Sequence, residues 1–314
     1  MKIVLCDGGL FNQVIQYVFA RNVEIHTGEQ VLLDNTWFYT PHDQHLKELE
    51  EIEVHQFQLH KFANAKYKLV SDHFAGSTWD EIQSILARQE PIRGGSYLPK
   101  ILRSSGLDLM MIRETVAPHH FEGNTAMYPP HVYTPEMLDA KGNVYYYGYF
   151  NNGNWFMRHQ EQLMQELQLP PLAKESDQLM AKQIEDSFAI SVHVRRSGYV
   201  KIGATIPDEF YKTHISELYK RFRHKKNLQF FIFSDEIDWV QANEKNLGID
   251  KIKSMVTYGE KGRTVVDNHV DFQLMAMCDA MILSQSVYSY YSALMNPKKD
   301  KVVINPHPQK GEFW

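Results

Sequence analysis

The C-terminal half contains the near-continuous apolar run Phe188-Ala189-Ile190-Ser191-Val192-His193-Val194, which stops abruptly at Arg195-Arg196. Runs of the same kind recur and also stop at polar residues; they cover 228–233, 280–283 and 301–304. Helical patterns separate these runs, such as those over Asp208–Phe222 and 237–246. Apolar strands that alternate with helices are typical of an α/β fold with a parallel sheet covered on both faces. The polar residues that follow each run should therefore converge where such sheets bind ligands, beyond the carboxyl ends of the strands.

The N-terminus has the same organisation. A short apolar run, 2–6, leads into Asp7-Gly8-Gly9, a helical pattern over 10–23 and a second strand, 31–33, that ends at Asp34. We expect two domains, 1–155 and 156–314, with the last residues as a candidate to pack back on the first domain. The segment between them is less regular; it suggests helices over 79–89 and 97–104, a proline-rich loop over 118–135 and an aromatic strand over 144–150.

Composition excludes several classes of protein. The chain has 314 residues, 43% of them hydrophobic and 23% charged, which rules out a disordered or fibrous protein. A net charge of −5 argues against nucleic acid as a partner. Only Cys6 and Cys278 are present, so reduced thiols are expected rather than a disulfide framework. Without a signal-peptide core or a membrane span, the sequence predicts a soluble cytoplasmic protein with at most peripheral membrane association.

The polar residues after the strands suggest the chemistry. Arg195 and Arg196 would suit a diphosphate, because guanidinium groups pair with phosphate oxygens in bidentate fashion; the alternative is a surface pair in salt bridges. Ser286 and Ser289 lie near a helix N-terminus, where they would hold an anion or simply cap the helix. His193 alone is more often a satisfied strand residue than a catalyst.

Several catalytic patterns are absent from the sequence. It contains no D-x-D triad, no H-E-x-x-H, no zinc-type spacing of Cys and His, and no G-x-S-x-G elbow. A metal-independent reaction on a phosphorylated donor fits best.

Taken in order, the motifs resemble the α-1,2-fucosyltransferases of glycosyltransferase family 11. The family's G-G-L-G-N-Q-M-F-Q-Y-A, L-D-T-S-x-F and G-Y-F-Q-S motifs resemble the segments that begin at Gly8, Leu33 and Gly148. Its H-x-R-R-G-D-Y signature resembles 193–199, and its F-S-D-D, D-x-x-L-M-S-x-C and N-S-S-F-S-W-W motifs resemble 233–236, 271–278 and 285–291. The resemblance runs over nearly the whole chain and is weakest over 60–140.

This resemblance implies a GT-B arrangement, in which two Rossmann-like domains with parallel sheets face each other across a cleft. It implies inverting transfer of L-fucose from GDP-L-fucose to a galactose-terminated oligosaccharide or lipid-linked glycan, with no metal and no cofactor beyond the donor. The donor-binding residues would be Gly9, Asn12, His193, Arg195, Arg196, Ser234, Asp271, Ser286 and Ser289. Arg195 would be catalytic by stabilising the departing diphosphate, and Asp271 would accept hydrogen bonds from guanine.

The chain also departs from the family pattern. Phe11 replaces a glycine, Tyr290-Tyr291 replaces a Trp pair, and Ser197-Gly198 replaces Gly-Asp, which removes the signature carboxylate. Asp34 is then the candidate for the catalytic base, with a turn residue as the alternative, and a reaction without a dedicated base is a further option. Two other functions stay open: a GT-B transferase with another donor or acceptor, and a non-catalytic glycan- or nucleotide-binding protein.

Overall fold

A computed structural model describes residues 1–41, 56–90, 92, 95–116, 131–201, 203–264 and 266–306. Contacts divide the described chain into two compact units, unit 1 within 1–170 and unit 2 within 171–306. Each unit contains one five-stranded sheet whose neighbouring strands run parallel. The predicted α/β class with two Rossmann-like sheets is therefore confirmed. The predicted boundary after residue 155 stays a prediction, and the packing expected of the last residues lies outside the described residues.

The sheet of unit 1 has the strand order β3-β2-β1-β5-β4. Its strands are β1 (Lys2–Leu5), β2 (Val31–Asp34), β3 (Lys68–Leu69), β4 (Met110–Arg113) and β5 (Val144–Tyr147). The chain adds β2 and β3 on one side of β1, whereas β5 and β4 lie on the other side. The strand order therefore reverses between β1 and β5, and such a switch point opens a crevice at the carboxyl ends of the strands.

The helices of unit 1 begin with the long helix α1. They are α1 (Leu10–Thr27), α2 (Val70–His73), α3 (Ser77–Leu86), α4 (Leu98–Ser104), α5 (Gly153–Met157) and α6 (Gln160–Glu166), with 3₁₀ turns at Thr36–Tyr39, Leu59–Lys61 and Pro135–Asp139. Almost every residue of α1 up to Val23 is buried, so α1 is a core helix rather than a surface one. Gly8, two residues before the helix, has a φ of +70° that favours glycine, and Gly28, with a φ of +69°, caps its C-terminus.

The sheet of unit 2 has the order β10-β9-β6-β7-β8, and its switch point lies between β6 and β9. Its elements are β6 (Phe188–Val194), β7 (Leu228–Ser234), β8 (Val256–Tyr258), β9 (Ala280–Ile282), β10 (Val302–Ile304), α7 (Glu175–Glu185), α8 (Ser197–Lys201), α9 (Asp208–Phe222), α10 (Ile237–Ala242), α11 (Glu244–Leu247), α12 (Val270–Met275), α13 (Val287–Leu294) and a 3₁₀ turn at Ile249–Met255. Buried residues of α9, among them Ile215 and Leu218, belong to the same apolar core as Ile190 and Val192 of β6. This packing fixes the strand ends that carry the candidate site.

Two predicted elements differ from the structure. The strand predicted over 144–150 ends at Tyr147, because Gly148 has a φ of +149° and Phe150 a φ of +54°, which turn the chain away from the sheet. The helix predicted over 237–246 is interrupted at Asn243. Part of the predicted loop, 118–130, lies outside the described residues, and 135–139 forms a 3₁₀ turn. Among the described helices, none combines the length and the apolar character that a membrane crossing would need.

Candidate functional site

At the switch point of unit 2, a hydrogen-bonding contact joins the ends of β6 and β9. Ser284 Oγ lies 2.7 Å from His193 Nδ1, and both residues are buried. Ser284 follows β9, which pairs in parallel register with β6, so the sheet itself brings the two side chains together. The contact makes His193 a partnered strand residue at the edge of the candidate site.

Burial also fixes the charge state of His193. The pKa of its imidazole is lowered to about 4, mainly by desolvation; Asp235 opposes this shift and Arg195 adds to it. The ring is therefore neutral near pH 7. A neutral imidazole here adds no charge, so the positive charge of the site rests on the arginines that follow.

Arg195 is the first of these arginines, and it is held in place on two sides. Its Nη1 donates to Asp235 Oδ2 over 2.6 Å, and its guanidinium lies 5.3 Å from the centre of the Tyr199 ring. Its side chain is 30% exposed. Within the described residues, Nε and Nη2 donate to no partner, so two of its N–H edges stay available to an anion.

Arg196 is engaged differently. Its guanidinium stacks on the Trp239 ring at 3.3 Å from the ring centre, and its Nε donates to Glu236 over 3.0 Å. Its backbone N–H donates to Asp235 Oδ1 over 2.9 Å. This geometry favours a role for Arg196 in bracing the loop after β6.

The three serines predicted for the donor site have local partners. Ser286 caps α13 by accepting from the Tyr288 N–H, and Ser234 Oγ accepts from the Glu236 N–H. Ser289 is fully buried, and its hydroxyl contacts the carbonyls of Ser284 and Ser286. These are the contacts of capping and turn residues, and a direct role of the three hydroxyls in phosphate binding stays a prediction.

Asp271, near the start of α12, forms a buried ion pair. Its Oδ1 accepts from Arg263 Nε at 2.5 Å, and Arg263 also pairs with Asp177 at 2.6 Å. Desolvation raises the pKa of the Asp271 carboxyl to about 6, against the opposing effect of Arg263. Oδ2 accepts no hydrogen bond from the residues that the structure describes, so this oxygen is available to a ligand.

Tyr288 connects Asp271 with the strand ends. Its hydroxyl accepts from the Phe272 N–H over 2.7 Å and donates to the Asn268 carbonyl over 2.8 Å. Its ring lies 5.5 Å from the ring of His193. The predicted donor residues of unit 2 thus gather at one edge of one sheet.

In unit 1, the glycine loop lies at the switch point between β1 and β5. Gly9 is the N-cap of α1, and a Cβ at Gly8 would lie 2.5 Å from Asn12 Nδ2. The Asn12 amide forms no hydrogen bond within the described part of the chain. Its side chain is therefore available to a ligand, and the role of Asn12 in donor binding stays a prediction.

Asp34, at the end of β2, has the contacts of a turn residue. It is fully buried; its Oδ1 accepts from the Thr36 N–H and hydroxyl at 2.9 and 2.6 Å, and its Oδ2 accepts from the Tyr145 hydroxyl at 2.6 Å. Tyr145 is buried as well, which raises the pKa of its phenol. The turn interpretation describes this geometry better than that of an accessible base, and the assignment of Asp34 as the base stays a prediction.

Sequence reasoning missed the partners that hold these residues. Asp235 directly follows β7, so the strand-end rule that selected Ser234 would have found it. Arg263 and Tyr288 carry no such signal, because one lies in a loop and the other lies inside a helix. No group of three or more His, Cys, Asp or Glu side chains arranged to hold a metal occurs among the described residues.

Comparison with known proteins identifies two similar glycosyltransferases. An alpha-1,2-colitosyltransferase from Escherichia coli is 30% identical over 176 residues, which cover 54% of this chain and 57% of that protein. The O-antigen biosynthesis glycosyltransferase WbnK from Escherichia coli is 23% identical over 186 residues, covering 54% and 56%. The chain therefore spans about half the length of the curated relatives it matches.

Among solved structures, the fucosyltransferase NodZ from Bradyrhizobium is similar over 94% of both chains, with a TM-score of 0.45 and 12% identity. An Arabidopsis thaliana FUT1 mutant in complex with GDP has a TM-score of 0.46 and 11% identity, over 94% of this chain and 68% of that one.

The family model described as "Glycosyl transferase family 11" matches residues 118–314, which is more than half of the chain. The resemblance seen in the motifs is thereby confirmed, and the chain belongs to glycosyltransferase family 11.

Proposed function

We propose that the protein is an inverting, metal-independent α-1,2-fucosyltransferase that moves L-fucose from GDP-L-fucose to a galactose-containing acceptor. One observation carries the proposal: Arg195 is fixed at the switch point of unit 2 with Nε and Nη2 unpartnered within the described residues. The motif resemblance supports the choice of donor, and membership of family 11 supports the class of reaction.

In this mechanism, Arg195 acts on the leaving group. As the bond between fucose C1 and the diphosphate oxygen breaks, negative charge grows on the β-phosphate. A guanidinium that Asp235 and Tyr199 hold in place needs little reorganisation to meet that charge, so it stabilises the transition state more than the ground state.

Neighbouring residues of unit 2 are proposed to bind the rest of the donor. The N–H groups at the start of α13, next to Ser286, are suited to phosphate oxygens. Asp271 would accept from the N1–H and the exocyclic amine of guanine, with Arg263 keeping its carboxylate oriented. Gly9 and Asn12, in unit 1, stay predicted donor residues, and the acceptor is proposed to bind unit 1. A cytoplasmic location and a lipid-linked acceptor stay predictions.

A second candidate donor is GDP-colitose. The relative at 30% identity is named for transfer of colitose, a 3-deoxy analogue of L-fucose, in an alpha-1,2 linkage. A transferase of family 11 with this donor would use the same diphosphate site. The two functions differ at the sugar 3-hydroxyl, so competition between GDP-fucose and GDP-colitose separates them.

The test combines binding, transfer and linkage. GDP is expected to raise the melting temperature more than ADP or UDP does, and GDP-fucose is expected to label a galactoside at its 2-hydroxyl in the presence of a chelator. An absolute requirement for manganese or magnesium would contradict the metal-independent reaction. Binding of GDP-fucose without transfer to any member of a glycan array would favour a non-catalytic binding protein.

A further inference from the structure

A run of basic residues lies at the C-terminal end of α9, outside the candidate donor site. It reads Lys220-Arg221-Phe222-Arg223-His224-Lys225-Lys226, and α9 ends within it, at Phe222. The five lysines and arginines of the run are exposed, whereas Phe222 is buried in the core of unit 2. These five side chains, together with His224, form a surface that we call the basic patch.

The residues of the basic patch lack the acidic partners that other cations of this unit have. Lys253, Lys261 and Lys298 each form an ion pair with a carboxylate. Within the part of the chain that the structure describes, no side chain of the basic patch does so, and Glu217, one turn earlier in α9, contacts His214 instead. Five positive charges are therefore concentrated, without neutralising partners, on a protein whose net charge is −5.

The stability of α9 accounts for only part of this pattern. Basic residues in the last turn of a helix are stabilised by the partial negative charge of its free carbonyl groups, and Lys220 and Arg221 occupy that turn. The effect does not extend beyond the last turn. Lys225 and Lys226 lie past the end of the helix, so the helix gives no reason for their charge.

Aromatic rings lie beside two of the basic side chains. The guanidinium of Arg221 lies 5.1 Å from the centre of the Phe222 ring, and Lys225 Nζ lies 5.3 Å from the centre of the Phe188 ring. Long basic side chains commonly pack their stems on apolar surface and keep the charged end in water. The basic patch thus presents its charge outward without burying it.

The basic patch and the candidate donor site lie at opposite edges of the unit 2 sheet. The N–H of Phe188, the first residue of β6, donates to the Asn227 carbonyl over 3.1 Å, which places the end of the patch at the amino edge. Arg195 follows Val194, the last residue of β6, at the carboxyl edge. A partner on the basic patch would therefore leave the donor site of unit 2 uncovered.

The position of the patch determines which kind of anion suits it. Defined phosphate sites use helix N-termini, whereas the C-terminus of α9 presents carbonyl groups that repel a phosphate at short range. Surfaces that bind single-stranded nucleic acid combine cations with rings on which bases stack, and Phe222, inside the run, is buried. Flexible lysines and arginines suit a diffuse layer of negative charge, and clusters of about four to eight of them are typical of surfaces that bind anionic lipids.

We propose that the basic patch docks the protein on the surface of a membrane that contains anionic lipids. The contact is electrostatic and reversible, because the run offers no exposed apolar side chain that would insert between the lipid chains. Exposed charges more than about 8–10 Å away are screened at physiological salt, so the lipid surface interacts with the patch rather than with the net charge of the chain. The proposal goes beyond the transferase function and holds whichever sugar is transferred.

The test is binding to lipid vesicles, measured by cosedimentation. The wild type is expected to bind vesicles of phosphatidylcholine mixed with phosphatidylglycerol, and not vesicles of phosphatidylcholine alone. Raising the salt concentration from about 0.05 M to about 0.5 M should release it, because salt screens the attraction between surface charges. The assay needs neither GDP nor an acceptor, so its outcome is separate from that of the transferase test.

Two double variants locate the binding surface. Lys225→Gln/Lys226→Gln removes two charges of the patch, and Lys253→Gln/Lys261→Gln removes two other exposed charges of unit 2, so both variants have the same net charge. Each cation near an anionic membrane contributes roughly fivefold to affinity, so the patch variant should bind roughly 10–30-fold more weakly. The control variant should bind like the wild type.

Three results would overturn the proposal. The first is a wild type that does not sediment with anionic vesicles at about 0.05 M salt; this result needs no variant, so it decides the matter even if a substitution prevents folding. The second is an equal loss of binding in both double variants, which would assign the effect to net charge. The third is tighter binding to a single-stranded polynucleotide than to the vesicles, which would assign the patch to nucleic acid.

Discussion

A single hydrogen bond, 2.6 Å long from Arg195 Nη1 to Asp235 Oδ2, joins the ends of β6 and β7 and orients the guanidinium at the switch point. Asp235 also accepts from the Arg196 N–H, so one carboxylate fixes both the side chain and the loop that carries it. The geometry makes Asp235 a positioning residue. The negative charge of Asp235 also offsets part of the positive potential that Arg195 presents to an anion.

Asp235→Asn separates charge from orientation. An asparagine removes the negative charge beside Arg195, so GDP should bind at least as tightly as in the wild type. Turnover should nevertheless fall, by roughly tenfold, because a loosely held guanidinium meets the developing charge less well. Titration of GDP beside initial rates checks both parts. Asp238→Asn, an exposed carboxylate paired with Lys261, serves as the control. Loss of GDP binding in parallel with turnover would reject the positioning role.

Asp271→Ala tests recognition of guanine. In the wild type, GDP should bind more tightly than IDP, which lacks the exocyclic amine. In the variant this preference should disappear, because the carboxylate that accepts from that amine is gone. Affinity measurements with the two nucleotides provide the check. The melting temperature should also drop modestly, since Arg263 loses one partner and keeps Asp177. An unchanged ratio of GDP to IDP affinity would remove Asp271 from the base-reading role.

Asp34→Asn separates the role of a catalytic base from that of a turn residue. Because the buried carboxylate accepts from Thr36 and Tyr145, an amide in its place should lower the free energy of unfolding by roughly 1–3 kcal/mol. If Asp34 is a turn residue, turnover of the folded variant should stay close to that of the wild type. Thermal melts and initial rates together give the answer. A large loss of turnover at unchanged stability would show that Asp34 is the base, as the sequence predicts.

The alternation of strands and helices could be predicted from the sequence because the main strands are continuous apolar runs with polar ends. Asp208–Phe222 has the predicted bounds, and Arg195 and Ser286 lie at the predicted edge of the sheet. Strands β3, β4 and β8 were not predicted. Met110, in β4, is 52% exposed, so the run around it lacks the pattern of a buried strand.

Long-range pairing explains the remaining gaps at the site. Asp34 and Tyr145 lie 111 residues apart in the chain, and the sheet of unit 1 brings their side chains within 2.6 Å of each other. Asp271 was predicted from a motif, whereas its partner Arg263 comes from a loop with no regular pattern. Such contacts depend on tertiary structure and leave no periodic signal in the sequence.

The stability of the protein should fall in mild acid because of His193. Its imidazole has a pKa of about 4 in the folded chain and about 6.5 when unfolded, so the unfolded state binds more protons between these values. The contribution is fully present above about pH 6.5, and it decreases as the pH falls toward about 4, by roughly 3 kcal/mol in all.

The variant His193→Gln tests this contribution of His193 to stability. The melting temperature of the wild type should fall between about pH 7 and about pH 5 more steeply than that of the variant. Asp271, whose pKa is raised to about 6, acts in the opposite direction, but it is present in both proteins and cancels. If the melting temperatures of the two proteins fell equally steeply with pH, His193 would not be buried as a neutral ring.

The central claim is that Arg195 stabilises the departing diphosphate, and Arg195→Ala tests it most directly. The measurement is the initial rate at saturating GDP-fucose and acceptor, with a thermal melt of each variant, and Arg223→Ala as an exposed control. We predict an unchanged melt, because Arg195 is partly exposed, and a loss of turnover of roughly 10²–10³. Arg195→Lys should restore only part of the activity, since a point charge cannot reproduce the planar fork. Near-normal turnover in Arg195→Ala with an unchanged melt would contradict the claim.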